Sequence, residues 1–227
     1  PLQADPKTVG WIHRHRHRLA AAAPERILAE LQKLVAGPYA KHSMQLLIDL
    51  ELVSPWGADQ ALPCQEDAAL LTEEERAQAL PLARLSRLIS AEGLKKLRAS
   101  RNLQERCRRL RHWRQTLPDD REALSEQDRL QLHLDLGSDL PALIVQLDSS
   151  LQADWLARWR DPMDPLFHPS APMDGTTLQR ELNLAPGPQL GVLLRHLLLE
   201  HAFGRISGKE DALLEAQRWC AQDRCAL

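Results

Sequence analysis

The chain has 227 residues, of which 44% are hydrophobic and 26% charged, and its formal net charge at pH 7 is −2. This length suffices for one or two domains with a hydrophobic core. No apolar run approaches the roughly 18 residues of a membrane span, so we expect no membrane partner. Aromatic residues make up only 4% of the chain, so the core must consist mainly of Leu, Ile, Val and Ala, which favours helices over sheets.

The first half of the chain contains clear signals for the start and end of helices. Pro24 predicts the start of a helix that ends at Gly37, because proline is tolerated in the first helical turn and glycine is not favoured in the interior. A second helix is predicted from Ala40 to near Pro55. Thr72 and the Glu three residues later form a capping box at the start of a third helix. Pro81 lies inside that helix, so we expect a kink or two separate helices.

Serine caps predict the helices that follow. Ser90 precedes a short helical turn, Ser100 precedes a long helix, and Ser125 precedes a helix that ends at Gly137. Residues 140–147 alternate enough to form a strand, but an isolated strand would leave its backbone groups without partners. We therefore expect short helices at 140–149 and 151–160.

The C-terminal part of the chain is set apart by prolines at 162, 165, 169 and 172, which predict an extended linker over residues 161–173. After it come a helix, a Pro-Gly-Pro turn, a second helix that is apolar, a turn that contains glycine and a final amphipathic helix. The sequence thus predicts an all-α protein: a multi-helix body at 1–160 and a small C-terminal helical tail module at 174–227. Four scattered cysteines without a Cys-x-x-Cys pair indicate reduced thiols and a cytoplasmic location.

Residues 95–114 form a basic stripe with nine Lys or Arg side chains against one Glu, so the rest of the chain carries a net of ten negative charges. Such a stripe is either a solvated helix face or a surface that follows the phosphate backbone of a nucleic acid. Contacts of this kind position an RNA without reading its sequence. We expect three of its arginines, Arg101, Arg108 and Arg111, to share an outward face. The predicted RNA-binding residues are Lys95, Lys96, Arg98, Arg101, Arg108 and Arg111.

Motifs that carry catalysis are not apparent, and the chain offers no catalytic residue that we can assign. His13, His15 and His17 alternate with arginines. On a helix His13 and His17 would share a face, as metal ligands can, but a metal site needs at least a third ligand. We therefore assign no metal ligand and interpret the segment as a basic flank that faces solvent or RNA phosphate.

The tail module has the outline of a helix-turn-helix, but its second helix is poorly suited to reading DNA. A recognition helix needs polar residues near its N-terminus, and here only Gln189 could reach a base. Its Gly187-Pro188 start could hold a phosphate or be an ordinary cap. DNA is therefore not an expected partner.

Three segments stand out by their order and spacing: residues 2–34 with their Glu25-Arg26-Ile…Glu30-Leu helix, residues 44–56 with their Ser-Pro-Trp ending, and the module from Asp174 to Ala212. Together they resemble the C-terminal two-thirds of the bacterial class II CCA-adding enzymes, the tRNA nucleotidyltransferase and poly(A) polymerase family. Residues 64–160 match only in length and helicity. Arg26 and Glu30 are spaced for an ion pair.

The resemblance implies that this chain is the part of such an enzyme that holds RNA. In the family, an upstream head carries the metal-binding carboxylates, and a neck with a Glu-Asp-x-x-Arg motif templates CTP and ATP. We therefore expect Mg²⁺ with CTP or ATP in those parts, and no cofactor or catalytic residue in this one. The expected partner is tRNA, clamped at its acceptor and T arms.

Three questions remain open from the sequence. The parent enzyme could add CCA, only CC, only A, or poly(A). The chain could instead be a helical protein-interaction scaffold. A helix-turn-helix DNA binder is the third and least favoured interpretation.

Overall fold

The computed structural model describes residues 5–57, 66–118 and 123–221. Within these ranges the fold is entirely helical, and the only β-type pairing found there is an isolated bridge between Gly57 and Ile89. The predicted all-α class is therefore confirmed. None of the helices in these ranges has both the length and the apolar character needed to cross a membrane.

The described residues form α-helices and short 3₁₀ segments. A 3₁₀ segment, Arg16–Ala21, extends the first helix, and another, Gly137–Asp139, follows the seventh. The α-helices are α1 Pro6–His15, α2 Pro24–Ala36, α3 Ala40–Asp49, α4 Glu73–Leu88, α5 Ala91–Lys96, α6 Arg101–Thr116, α7 Glu126–Leu136, α8 Leu140–Ile144, α9 Ser149–Arg160, α10 Gly175–Leu182, α11 Pro188–Ala202 and α12 Gly208–Trp219.

The capping signals in the sequence set the helix starts. The Glu75 backbone N–H donates to Thr72 Oγ1 at 3.2 Å, and the Thr72 N–H donates to Glu75 Oε2 at 2.8 Å, which completes the capping box of α4. The hydroxyls of Ser90, Ser100 and Ser125 accept from backbone N–H groups in the first turns of α5, α6 and α7. These predicted starts are confirmed, as is the helix over residues 140–144.

Two helices differ from the prediction. α4 continues through Pro81 as one helix, so the two-helix alternative is wrong; packing against neighbouring helices outweighs the one hydrogen bond that proline removes. α3 ends at Asp49 rather than near Pro55, because Glu51 adopts a left-handed conformation with φ of 55°. The Leu52 N–H then donates to the Leu47 carbonyl at 2.9 Å, which closes the helix end.

The chain divides into two compact units: Pro1–Leu117 with Ser138–Leu156, and Pro118–Gly137 with Ala157–Leu227. The boundary at residue 156 falls inside α9. The domain boundaries predicted from the sequence, at residues 160 and 174, stay a prediction. Residues 161–173 are not extended, however: they form turns that bury Leu166 and Phe167. Asp164 Oδ1 stabilises these turns because it accepts hydrogen bonds from the backbone N–H groups of Leu166 and Phe167, both at 3.0 Å.

The first unit is built around α4, which packs against α2, α6 and α8. Because neighbours surround it, α4 buries residues on nearly all sides, including Arg84. Glu66 compensates this buried charge: Arg84 Nε donates to both Glu66 carboxylate oxygens at 3.0 Å and Nη2 donates to Oε1 at 2.6 Å. Arg84 Nη1 also donates to the Val35 carbonyl at the end of α2, at 2.7 Å. The guanidinium thus joins α4, α2 and the segment at residue 66.

The second unit has its own core, formed where α10, α11 and α12 pack together. Its fully buried members include Leu178, Leu193 and Ala216. Arg205 fastens this core to α7 through two hydrogen bonds of 2.9 Å to the Glu126 carboxylate. Near its end, Cys220 is disulfide-bonded, so the prediction of four reduced thiols is wrong for this residue. Cys107 is a buried free thiol, and Cys64 and Cys225 lie outside the described residues.

A close backbone approach connects α5 with residue 56. A Cβ built on Gly93 would lie 2.0 Å from the Trp56 carbonyl oxygen. The same carbonyl accepts from the Ser90 N–H at 2.9 Å and from the Ser90 hydroxyl at 3.2 Å. Only glycine permits this contact, so α5 is held directly against the turn that follows α3.

Removing the charge of Glu66 should destabilise the first unit strongly. Glu66→Gln leaves the Arg84 guanidinium buried without a counter-ion, which costs about 3–5 kcal/mol in comparable pairs. The measurement is the free energy of unfolding by urea. Glu30→Gln, which breaks the exposed Lys33–Glu30 pair, is the matched control and should have no measurable effect. Equal stability of the two variants would contradict the role given to Glu66.

A methyl group at Gly93 should also be costly. Gly93→Ala forces the Trp56 carbonyl away from Ser90 and should lower the free energy of unfolding by about 1–3 kcal/mol or more, as overpacking does. Gly191 in α11 has no atom within 4 Å of an added Cβ. Gly191→Ala should therefore raise stability by about 1 kcal/mol through helix propensity alone. Thermal melts of both variants test the difference in sign.

Candidate nucleic-acid interface

The basic stripe begins on α5, where Lys95 and Lys96 are exposed. Lys95 Nζ donates to Glu92 Oε1 at 2.7 Å, an i,i+3 ion pair that partly neutralises its charge. For Lys96, the described part of the chain supplies no carboxylate at ion-pair distance. Of the two predicted lysines, Lys96 therefore presents its charge to solvent without an ion pair to the described residues.

Arg98 occupies a backbone conformation that usually belongs to glycine. Its φ is 56°, and the Ala99 N–H donates to the Leu94 carbonyl at 2.9 Å, the pattern of a Schellman helix end. Its side chain is 70% exposed, and Nη1 donates to Glu25 Oε1 at 2.7 Å. The N-terminal backbone of α2 and then the Arg98 guanidinium hold the pKa of Glu25 below its ordinary value. Arg98 therefore connects the stripe to α2.

α6 carries two of the remaining predicted residues, Arg101 and Arg108, on its exposed side. Arg101 is exposed, and the described residues include no ion-pair partner for it. Arg108 donates to both carboxylate oxygens of Glu105 at 2.7 Å, and Arg109 donates to Oε1 at 2.8 Å. These two guanidinium groups lower the pKa of Glu105 to about 2. Glu105 therefore stays ionised and offsets part of the positive charge at neutral pH.

Arg111 does not lie on the predicted outward face. It follows Cys107 by four residues, so it shares the inward side of α6 with that buried thiol. Its Nη1 donates to the carbonyls of Ser86 at 3.2 Å and Ile89 at 3.1 Å. Burial lowers the pKa of Arg111. Arg111 thus binds the carbonyls at the C-terminal end of α4, and its place in the predicted outward set is corrected.

A second group of cations lies on α1 and its 3₁₀ extension. Arg16 pairs with Glu51 at 3.0 Å. Lys7, Arg14 and Arg18 are exposed, and no carboxylate among the described residues pairs with them. Sequence reasoning noted the basic flank at 13–18 but assigned none of these residues to the site. The sequence feature that indicates these cations is the absence of Asp and Glu between residues 6 and 24, which leaves them without a nearby carboxylate in the sequence.

The histidines of this segment do not form the face considered from the sequence. α1 ends at His15 and His17 lies in the 3₁₀ turn, so His13 and His17 are not spaced along one α-helix. Across the described ranges, no group of three His, Cys, Asp or Glu side chains could hold a metal ion.

In the second unit, α11 presents little that could read a base. Leu193 and Leu197 are buried in the unit's core, while Val192 is exposed in the second turn. Arg195 donates to Gln131 Oε1 on α7 at 2.8 Å. An aliphatic residue thus occupies the exposed side at the position where a recognition helix needs hydrogen-bonding groups.

No curated protein matches the chain. Residues 2–56 match the family described as the probable RNA- and SrmB-binding site of polymerase A. The matched range covers α1, α2 and α3, and so includes the cations of α1 and the Glu25 partner of Arg98. Residues 2–56 are thus an RNA-binding region of the poly(A) polymerase and CCA-adding enzyme family, which confirms the resemblance for this part of the chain.

Proposed function

We propose that the chain holds the acceptor and T arms of a tRNA through phosphate contacts, as the RNA-binding part of a tRNA nucleotidyltransferase. The observation that supports this most directly is the continuity between the basic stripe and the matched region. Arg98 pairs with Glu25 of α2, and α5 contacts the Trp56 carbonyl. The exposed cations of α5 and α6 therefore border the segment whose family binds RNA.

The kind of contact follows from the side chains. The exposed cations of the stripe are Lys95, Lys96, Arg98, Arg101 and Arg108. Trp113, the one Phe, Trp or Tyr residue in the sequence from 95 to 114, is buried. α6 has 16 residues, a length of about 24 Å, which lets it reach several phosphates. A duplex RNA is recognised mostly through its shape, phosphates and 2′-hydroxyls, which cationic side chains suit. The stripe is thus fitted to a paired arm of tRNA.

A protein partner is the second candidate, because the description of the matched family names SrmB beside RNA. On this alternative, residues 2–56 are a protein-binding surface, in keeping with the scaffold interpretation of the sequence. Binding of SrmB to the chain at physiological salt, unaffected by competing tRNA, would favour it over the RNA proposal.

Reversing the charges of Lys96 and Arg101, which have no ion-pair partner among the described residues, should weaken RNA binding. Lys96→Glu with Arg101→Glu removes two cations that neutralise phosphates, so the affinity for a tRNA minihelix should fall. The slope of log Kd against log salt should decrease by about one for each phosphate that the variant no longer neutralises. Fluorescence anisotropy over a salt series measures both quantities.

The matched control applies the same change in charge elsewhere. Arg180→Glu with Arg218→Glu alters two exposed arginines of the second unit and should leave the affinity close to that of the unchanged chain. Equal losses in both double variants would mean that only net charge matters, and the stripe would lose its assignment.

Arg98 permits a test in which loss of folding cannot explain the result. Arg98→Gly removes the cation but places glycine at a helix end that favours it. The melting temperature should therefore stay the same or rise, while the affinity for the minihelix falls. Arg98→Lys keeps the charge and should bind nearly as well as the unchanged chain. Full affinity in Arg98→Gly would remove Arg98 from the interface.

A further inference from the structure

α1 is an exposed helix with a large aromatic residue on its surface. It buries none of its residues, and Trp11 is 60% exposed. Elsewhere Trp56, Trp113 and Trp219 are buried, as is usual for side chains of this size. Since α1 gains so little from packing within the chain, the exposed indole calls for an explanation outside the core.

The ring of Trp11 is held by a neighbouring histidine. The two ring centroids are 4.5 Å apart with an interplanar angle of 32°. His15 Nδ1 lies 2.8 Å from the Trp11 carbonyl oxygen, a hydrogen bond that fixes the imidazole four residues along the helix. His15 therefore holds the indole in one position, and the exposed area of the indole is available to another ring.

Two cations of α1 flank this pair. Lys7 precedes Trp11 by four residues and Arg14 follows it by three, so both lie on the same side of the helix. Both are exposed, and the part of the chain that the structure describes provides them with no carboxylate partner. On α6, by contrast, Glu105 and Asp139 pair with three of the arginines.

We infer that Trp11, supported by His15, stacks on an unpaired base of a bound RNA, while Lys7 and Arg14 contact the phosphates beside that base. An aromatic ring among cations suits a single strand, because every base has a π face and every nucleotide carries a phosphate. The interior of a paired arm offers phosphates but keeps its bases stacked on one another. The site therefore differs in ligand from the stripe of α5 and α6.

This inference rests on the proposed function, since a base can stack on Trp11 only in an RNA that the chain binds. It assigns different parts of the RNA to two surfaces of the first unit. The stripe contacts the backbone of a paired arm, and α1 contacts an unpaired segment of the same RNA. The matched range 2–56 contains α1 but ends before the stripe.

The test compares two RNA minihelices with the same stem, one blunt and one with a four-nucleotide single-stranded 3′ extension. Stacking on an aromatic residue is worth about 1–3 kcal/mol per base, so Trp11→Ala should weaken binding of the extended RNA about five-fold or more. Binding of the blunt RNA should change less than two-fold. Trp11→Phe keeps a ring and should recover most of the loss.

Tyr39→Ala is the matched control, because Tyr39 is an aromatic residue of the same matched segment and is 66% exposed. It should bind both RNAs like the unchanged chain. Unchanged affinity of Trp11→Ala for the extended RNA, or an equal loss on both RNAs, would overturn the stacking site. An equal loss in Tyr39→Ala on the extended RNA would also overturn its assignment to Trp11.

The stripe variant separates this inference from the function on which it rests. If Lys96→Glu with Arg101→Glu leaves binding of the blunt RNA intact while Trp11→Ala weakens the extended RNA, the proposed tRNA-arm contact fails and the stacking site stands. If the stripe variant weakens both RNAs and Trp11→Ala weakens neither, the proposed function stands and the stacking site fails.

Discussion

The buried guanidinium of Arg84 is the constraint on which the first unit depends. A charge in the middle of a central helix is tolerated only with a counter-ion and filled hydrogen-bonding positions. Glu66 supplies the carboxylate and Val35 supplies a carbonyl. Because Val35 lies in the last turn of α2 and Glu66 in the segment before α4, the hydrogen bonds of this one side chain hold the RNA-binding region against the helix that also supports α6.

The position of the stripe follows from that arrangement. α6 packs on α4, and Arg111 binds the carbonyls at the end of α4 instead of facing solvent. The close approach of Gly93 to Trp56 then holds α5 at the border of the matched region. The position of the proposed RNA-binding stripe thus depends on the packing of buried residues.

Charge counted along the sequence overstates the charge that the stripe presents. Glu105 compensates Arg108 and Arg109, and Asp139 compensates Arg106 from a distant position in the chain. α1 and its 3₁₀ extension have fewer cations, yet Lys7, Arg14 and Arg18 lack such partners among the described residues. The segment with the smaller nominal charge therefore presents cations that internal pairing does not compensate.

Local chemistry was predictable from the sequence: the all-α class, the capping box at Thr72, the serine caps and the stop at Gly137 depend on residues within a few positions of one another. The resemblance at residues 2–56 was also predictable from the sequence. Four features were not predictable: the inward orientation of Arg111, the continuation of α4 through Pro81, the turns at 161–173 and the Arg106–Asp139 pair. Each depends on residues brought together by packing rather than by spacing. Sequence alone determined which residues are cationic and where helices begin, whereas tertiary structure decided which cations face solvent unpaired, because ion pairing and burial join distant positions of the chain.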